Sequence, residues 1–286
     1  MRIATTAEEL RQWSRQARRA GQTVGFVPTM GALHTGHLSL VRAARERGDA
    51  VAASIFVNPT QFAPNEDFDR YPRTLDADCA LLEAEGVAML FAPEPREMYR
   101  PGAATFVEVE GLSDQLDGAS RPGHFRGVAT VVAKLLLAAE PDRAYFGQKD
   151  AVQVAVLRRM VADLMLPVEL VVCPIVRDAD GLALSSRNRY LSPQQRVDAL
   201  ALSRALRLGL SLFAQGERSG AVLAAAMEQS MIASGRVRLD YAVVVDWATL
   251  APVERVEAGN LIAVAGWVGA TRLIDNAIPG RDSGKM

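Results

Sequence analysis

Residues 23–57 read TVGFVPTMGALHTGHLSLVRAARERGDAVAASIFV, and this stretch decides the fold. Residues 23–28 form a short apolar run with the length of a buried strand. A glycine-containing turn follows. Residues 37–47 then take helical spacing, with Leu38, Val41 and Ala44 along one side, and residues 50–57 form a second apolar run. Strand, helix, strand is a βαβ unit, which predicts two parallel strands joined by a right-handed crossover.

The alternation extends outward in both directions. Residues 7–19 have the spacing of an arginine-rich surface helix. Helices are expected over 76–85, 128–139 and 151–164, and strands over 88–92, 144–147 and 168–172. This pattern predicts a Rossmann-like, doubly wound parallel α/β sheet, whose ligands bind beyond the carboxyl ends of the strands. Past about Val176 the texture changes. Helices over 193–213 and 221–233 precede strands over 239–245, 261–265 and 271–274, as in a smaller α+β domain. The expected division is 1–176 and 177–286, and the tail GRDSGKM reads as mobile.

Composition narrows the class. The chain has 286 residues, about two domains' worth, and 49% of them are hydrophobic, enough for a packed core. Lys and Arg total 32 against 33 Asp and Glu, so nothing marks nucleic acid as a partner. Cys79 and Cys173 stand alone without CxxC spacing and read as core side chains in a reducing compartment. No run of about 18 apolar residues suggests a membrane span, and residues 1–13 lack the apolar core of a signal peptide. A cytoplasmic location is the expectation.

The chemistry concentrates in Pro28-Thr29-Met30-Gly31-Ala32-Leu33-His34-Thr35-Gly36-His37, where the strand ends and the helix begins. A helix N-terminus offers N–H groups and a positive dipole end to phosphate, and two imidazoles three residues apart add side-chain donors at the same place. Preplaced donors of this kind stabilise charge on a transferring phosphoryl group. A dinucleotide fold would need GxGxxG here, and the sequence has GALHTGH instead. Lys149 opens a helix after a short strand, where its ammonium can reach phosphate. Ser185, Ser186 and Arg187 combine hydroxyls with a planar guanidinium suited to phosphate oxygens. Gln61 and Gln153 are amides able to bond a buried acid without adding a counter-charge. The loop RPGHFRG (121–127) carries Arg121, a candidate for anionic groups, and His124, placed to close over a substrate.

With these residues stated, PTMGALHTGH resembles the nucleotide-binding signature of the pantothenate synthetases, members of the HxGH nucleotidyltransferase superfamily. The blocks FVNPTQF (56–62), DRYPRT (69–74), RPGHFRGV (121–128), FGQKD (146–150) and LSSRNRYL (184–191) follow in that family's order. The resemblance covers nearly the whole chain and is weakest past about residue 200. It departs from the family pattern at Gln148, where Glu is usual, at Leu184, where Met is usual, and at Asp76-Ala77-Asp78, where adjacent acids are common.

The resemblance implies an ATP-dependent ligase that joins (R)-pantoate to β-alanine through a pantoyl adenylate. It implies His37, His34, Lys149 and Arg187 as catalytic groups. ATP would be contacted by Met30, Gly31, Ala32, Leu33, His34, Thr35, Gly36 and His37, by Gly147, Gln148, Lys149 and Asp150, by Val176, and by Leu184, Ser185, Ser186 and Arg187. Gln61 and Gln153 would hold pantoate, with Gln61 also near β-alanine. Mg2+ would accompany ATP, with Asp78 as an indirect partner, and the protein would be a homodimer. Two other classes stay open at this point: a different nucleotidyltransferase on the same fold, and a nucleotide sensor without catalysis.

Overall fold

The structure, a computed structural model, describes residues 1–64 and 66–282. Residues 283–286, the larger part of the tail expected to be mobile, lie outside the described residues. Before them the chain is held: the Asp282 carboxylate accepts the Ile278 amide at 2.9 Å and Gln148 Nε2 at 2.8 Å. The chain forms two compact units. The first comprises Met1–Gly147 with Val156–Pro174, and the second Gln148–Ala155 with the chain from Ile175 on.

The first unit holds β1 (Arg2–Ala4), α1 (Ala7–Arg19), β2 (Val24–Thr29), α2 (Thr35–Glu46), β3 (Ala50–Ile55), α3 (Leu75–Ala84) and β4 (Met89–Phe91). Then come the short α4 (Pro95–Met98) and α5 (Asp117–Ser120), followed by α6 (His124–Ala139) and β5 (Arg143–Gly147). Helix α7 (Ala151–Asp163) starts in the second unit and ends in the first, before β6 (Glu169–Cys173). All six strands run parallel in the order β1-β4-β3-β2-β5-β6. Strand β1 escapes the sequence pattern because it has three residues, two of them exposed, at the sheet edge.

Both faces of the sheet are covered, so the inner strands are apolar throughout rather than alternating. Val27 of β2 packs with Val51, Ala53, Leu90 and Tyr145 and with Leu38, Val41 and Ala44 of α2. Its neighbour Phe26 is fully buried. Helix α1 begins with a capping box in which Thr6 accepts the Glu9 amide and Glu9 reaches back, a device typically worth about 1 kcal/mol. The chain leaves β2 toward β3 on one side and returns to β5 on the other. The topological switch therefore falls at β2 and β5, and β2 runs directly into the PTMGALHTGH turn.

The second unit continues with α8 (Pro193–Ala214), α9 (Gly220–Ile232), β7 (Val237–Val245), β8 (Leu261–Val268) and β9 (Thr271–Ala277). The three strands form an antiparallel sheet in chain order. Leu202 and Leu206 of α8, Leu223 and Met227 of α9, and Ile262 and Val264 of β8 share its core. Ser192 caps α8 reciprocally with Gln195, and Pro193 takes the first helical position. Among the described residues no helix is long and apolar enough to cross a membrane.

Candidate active site

The turn after β2 is held by side chains from inside the first unit. Thr29 Oγ1 donates to the Ser54 carbonyl at 2.6 Å and accepts the Gly31 amide at 3.2 Å. Gly31 has φ +80°, and Ala32 follows at φ +51°, a left-handed conformation that costs an L-residue about 1–2 kcal/mol. A carboxylate braces this conformation. Asp78, on α3 and 2% exposed, accepts the Ala32 amide through Oδ2 at 2.9 Å and the Leu33 amide through Oδ1 at 2.8 Å. Thr74 Oγ1 donates to Oδ2 at 3.1 Å.

Helix α2 starts at Thr35, two residues earlier than its apolar spacing predicts, because His34 is its cap. His34 Nδ1 accepts the Gly36 amide at 3.1 Å, and His37 Nδ1 accepts the His34 amide at 3.4 Å. The His37 amide donates to the His34 carbonyl at 2.8 Å. The amides of Gly31, Ala32, Leu33, His34, Gly36 and His37 are thus all donated within the protein. This departs from the expectation that the helix start offers its amides to phosphate. With Nδ1 accepting, each ring carries its proton on Nε2.

Gln61 ends a 3-10 turn, Pro59–Gln61, and is mostly buried. Its amide orientation follows from Asn58, whose Oδ1 accepts Thr60 Oγ1 at 3.0 Å and Tyr99 Oη at 2.8 Å. Burial holds the Tyr99 phenol above its ordinary range despite its hydrogen bonds to Thr60 and Asn58, so it remains a donor. Asn58 Nδ2 must then donate, and it does so to Gln61 Oε1 and the Gly127 carbonyl, both at 3.1 Å. Gln61 is left with Nε2 as its outward donor, 3.0 Å from Met30 Sδ of the nucleotide turn. The candidate acid-binding amide and the turn carrying the two histidines are therefore adjacent.

The RPGHFRG segment is not wholly a loop, since α6 begins at His124 after Gly123 at φ +78°. Arg121 spends two prongs on Glu66, at 2.6 and 2.7 Å, so it meets a carboxylate of the protein itself. A further Arg121 nitrogen lies 2.8 Å from His124 Nε2, and His124 Nδ1 lies 2.8 Å from the Gln61 carbonyl. Because guanidinium only donates, His124 accepts at Nε2 and donates at Nδ1. Burial acts to raise the Glu66 carboxyl pKa, but the hydrogen bonds and charge of Arg121 outweigh it and hold the group below its ordinary value.

In the second unit, Asn276 Nδ2 donates to the carbonyls of Gln148 and Lys149 at 3.0 and 2.9 Å, fixing the FGQKD turn. Lys149 Nζ reaches Asp150 Oδ1 at 3.3 Å. Gln153 sits half-buried two residues into α7. The Leu184 amide donates to the Val176 carbonyl at 3.0 Å, making these two neighbours in a small hairpin. Past it, Ser185 Oγ accepts the Arg187 amide at 3.3 Å and caps the turn Ser186–Tyr190. Arg177, within the hairpin, is clamped two-pronged by buried Asp275 at 2.6 and 2.9 Å.

Asp78 does not fit a ligand that holds Mg2+ directly through both oxygens. Asp78, the sequence's candidate partner, has both oxygens taken by three donors. Among the described residues no group of three or more His, Cys, Asp or Glu is placed to hold a metal. Sequence reasoning also left Asn58, Tyr99, Glu66 and Asn276 without roles. Asn58 stands in a quoted block, but the other three act through partners far along the chain and leave no local signal.

A parallel sheet with its switch point at β2, opening into a turn capped by two histidines, defines an α/β nucleotide-binding enzyme of the HxGH type. A sequence model of the pantoate-beta-alanine ligase family matches residues 2–278, and the chain belongs to that family. It is 61% identical to a pantothenate synthetase of Acidobacterium capsulatum, over 98% of this chain and 97% of the relative. The pantothenate synthetase structure from Thermus thermophilus superposes with a TM-score of 0.90 at 51% identity, covering 97% of this chain and 99% of that one. The pantoate-beta-alanine ligase of Francisella tularensis, complexed with beta-gamma ATP and beta-alanine, superposes with a TM-score of 0.76 at 33% identity and 97% coverage of both chains.

Proposed function

We propose that this chain condenses (R)-pantoate with β-alanine at the expense of ATP, giving pantothenate, AMP and pyrophosphate through a pantoyl adenylate. The observation that carries this reading is the adjacency of Gln61 Nε2 to Met30, within a chain of the ligase family. In the first step a pantoate carboxylate oxygen bonds to the α-phosphorus of ATP, and the bond to pyrophosphate breaks. In the second, the β-alanine amine nitrogen bonds to the acyl carbon, the acyl–oxygen bond breaks, AMP leaves with that oxygen, and the nitrogen releases a proton to solvent.

His34 and His37 donate through Nε2 to phosphate oxygens as charge grows on them, with His37 also the proton donor. Lys149 neutralises the α-phosphate region as a point charge. Ser185, Ser186 and Arg187 hold the β,γ end, with Arg187 counted among the catalytic groups. Met30–His37, Gly147–Asp150, Val176 and Leu184 contact the nucleotide. Gln61 and Gln153 bond pantoate, and Gln61 also lies near β-alanine. Mg2+ arrives as the counter-ion of ATP, since among the described residues no group of three or more His, Cys, Asp or Glu is placed to hold a metal. The functional division is 1–176 for nucleotide and pantoate and 177–286 for the smaller domain. The family resemblance supports a homodimer, and the thiols of Cys79 and Cys173 fit a reducing cytoplasm.

The deciding experiment puts oxygen-18 in the pantoate carboxylate. Pyrophosphate should form from pantoate and ATP alone, about one per site, and after β-alanine is added the label should appear in AMP. ADP as product, or label in inorganic phosphate, rejects the adenylate route. Absence of any turnover leaves a nucleotide sensor.

A further inference from the structure

We infer that Asp78 is a positioning residue that sets the shape of the nucleotide turn, and that it does not act on Mg2+. The inference rests on the reading of residues 30–37 as the nucleotide turn. Its physical basis is a lone-pair argument. An ionised carboxylate has about four acceptor sites on two oxygens. Asp78 commits one oxygen to the Ala32 amide and the Thr74 hydroxyl, and the other to the Leu33 amide. The side chain is 2% exposed, so water cannot take over those donors. Three of those sites are filled, so a cation held by both oxygens would displace the Ala32 amide or the Thr74 hydroxyl from Oδ2, and a buried amide left unpaired is a state proteins avoid.

The geometry around the carboxylate supports this role. Gly31 and Ala32 are the two positions where the turn adopts positive φ, at +80° and +51°. Asp78 Oδ2 lies 3.1 Å from where a Cβ on Gly31 would stand, so the carboxylate fits against the bare backbone there. Two amides converging on one carboxylate hold Ala32 in a conformation it would not keep alone. The turn leads into His34, whose ring caps α2 and whose carbonyl accepts the His37 amide. A relaxed turn would displace both imidazoles. Sequence order conceals this role, because Asp78 lies 46 residues beyond Ala32.

The test compares Asp78→Asn with the wild type in three measurements. Asparagine is nearly the same size but offers one good acceptor where the carboxylate offers two. Amide hydrogen exchange at Ala32 and Leu33, which needs no substrate, should speed up at least tenfold relative to core amides. Calorimetric binding of AMP in EDTA should weaken about tenfold, although no metal is present. The Mg2+ concentration giving half-maximal pyrophosphate release should stay within twofold of wild type, while the rate falls ten- to a hundredfold. If Asp78→Asn does not fold, Thr74→Val removes only the hydroxyl donor and should show the same pattern at smaller size. Unchanged exchange and unchanged AMP binding, with the Mg2+ requirement raised tenfold or more, overturns the inference and makes Asp78 a metal partner. Should the wild type release no pyrophosphate and bind no AMP, the functional reading fails instead, and exchange at Ala32 and Leu33 still decides the brace.

Discussion

The imidazole rings of His34 and His37 lie 4.1 Å apart between centroids, with their planes 33° apart. Each ring accepts a backbone amide of the helix start through Nδ1, His34 from Gly36 and His37 from His34. In the proposed mechanism structural and chemical roles are therefore divided within each ring. Nδ1 ties the cap, and Nε2 carries the proton a phosphate oxygen would receive as a hydrogen bond.

That division can be separated by mutation. Asparagine at position 37 keeps an acceptor near the place of Nδ1 but has nothing at Nε2. His37→Asn should keep most of the wild-type melting temperature while pyrophosphate release slows about a hundredfold, the loss expected for one transition-state donor. His37→Ala should lose the same rate and also about 1 kcal/mol of stability from the missing cap. Stopped-flow pyrophosphate release with thermal melts checks both. Rapid turnover in either folded variant excludes His37 from the chemistry.

Asn58 is expected to matter for pantoate almost as much as Gln61. Gln61→Leu should weaken pantoate binding by about a hundredfold or more with little change for ATP, because a site built around a hydrogen bond discriminates through it. Asn58→Ala frees the Gln61 amide to flip and should give a smaller loss of the same kind. Titration calorimetry with each ligand separately measures both, and equal losses for pantoate and ATP would indicate general damage.

Gly127 sets how closely α6 approaches the Gln61 segment. A Cβ there would stand 2.4 Å from the Thr60 carbonyl oxygen and 2.7 Å from Gln61 Cα, so one or the other must move. Gly127→Ala should cost about 1–3 kcal/mol of stability by overpacking. It should also raise the KM for pantoate more than that for ATP, read by urea melts and steady-state kinetics.

The Glu66–Arg121 pair predicts an acid-side dependence. The folded Glu66 carboxyl titrates below its ordinary value of 4.5, because Arg121 outweighs burial. Its contribution is fully present above that pH and is lost as pH falls through the lower folded value. The melting-temperature gap between wild type and Glu66→Gln should be constant from pH 7 to about 5 and should close on further acidification. A gap that widens toward low pH has the wrong sign for this pair.

Arg177 should be needed for folding of the second unit. Its partner Asp275 is buried, and burial pushes that carboxyl up even against the pull of the guanidinium. Removing the arginine leaves a buried acid without its counter-charge, so Arg177→Met should destabilise by about 3–5 kcal/mol. The double variant Arg177→Met with Asp275→Leu should recover much of that loss in chemical denaturation.

The sequence by itself determined the order of the longer strands and helices, though not the edge strand β1 or the short α4 and α5, and the place of the nucleotide turn. Those features are local, since an apolar run or a period of 3.6 is visible within ten residues, and a helix start is marked by its own caps. It also singled out His34, His37, Lys149 and the Ser185–Arg187 group as candidates, because they stand inside short distinctive blocks. The RPGHFRG segment reads as loop from its glycines and proline, yet α6 starts at His124, since a glycine just before a helix serves as its cap. Only the tertiary structure decided what fixes these groups. Asp78 and Ala32 are 46 residues apart, Arg121 and Glu66 55, His124 and the Gln61 carbonyl 63, and Asn276 and Gln148 128. A carboxylate or amide carries no periodic mark of its partner. In the first unit the strand order, with β2 between β3 and β5, and the packing around it set which remote donor a group meets, and in the second unit β9, which carries Asn276, does so for Gln148.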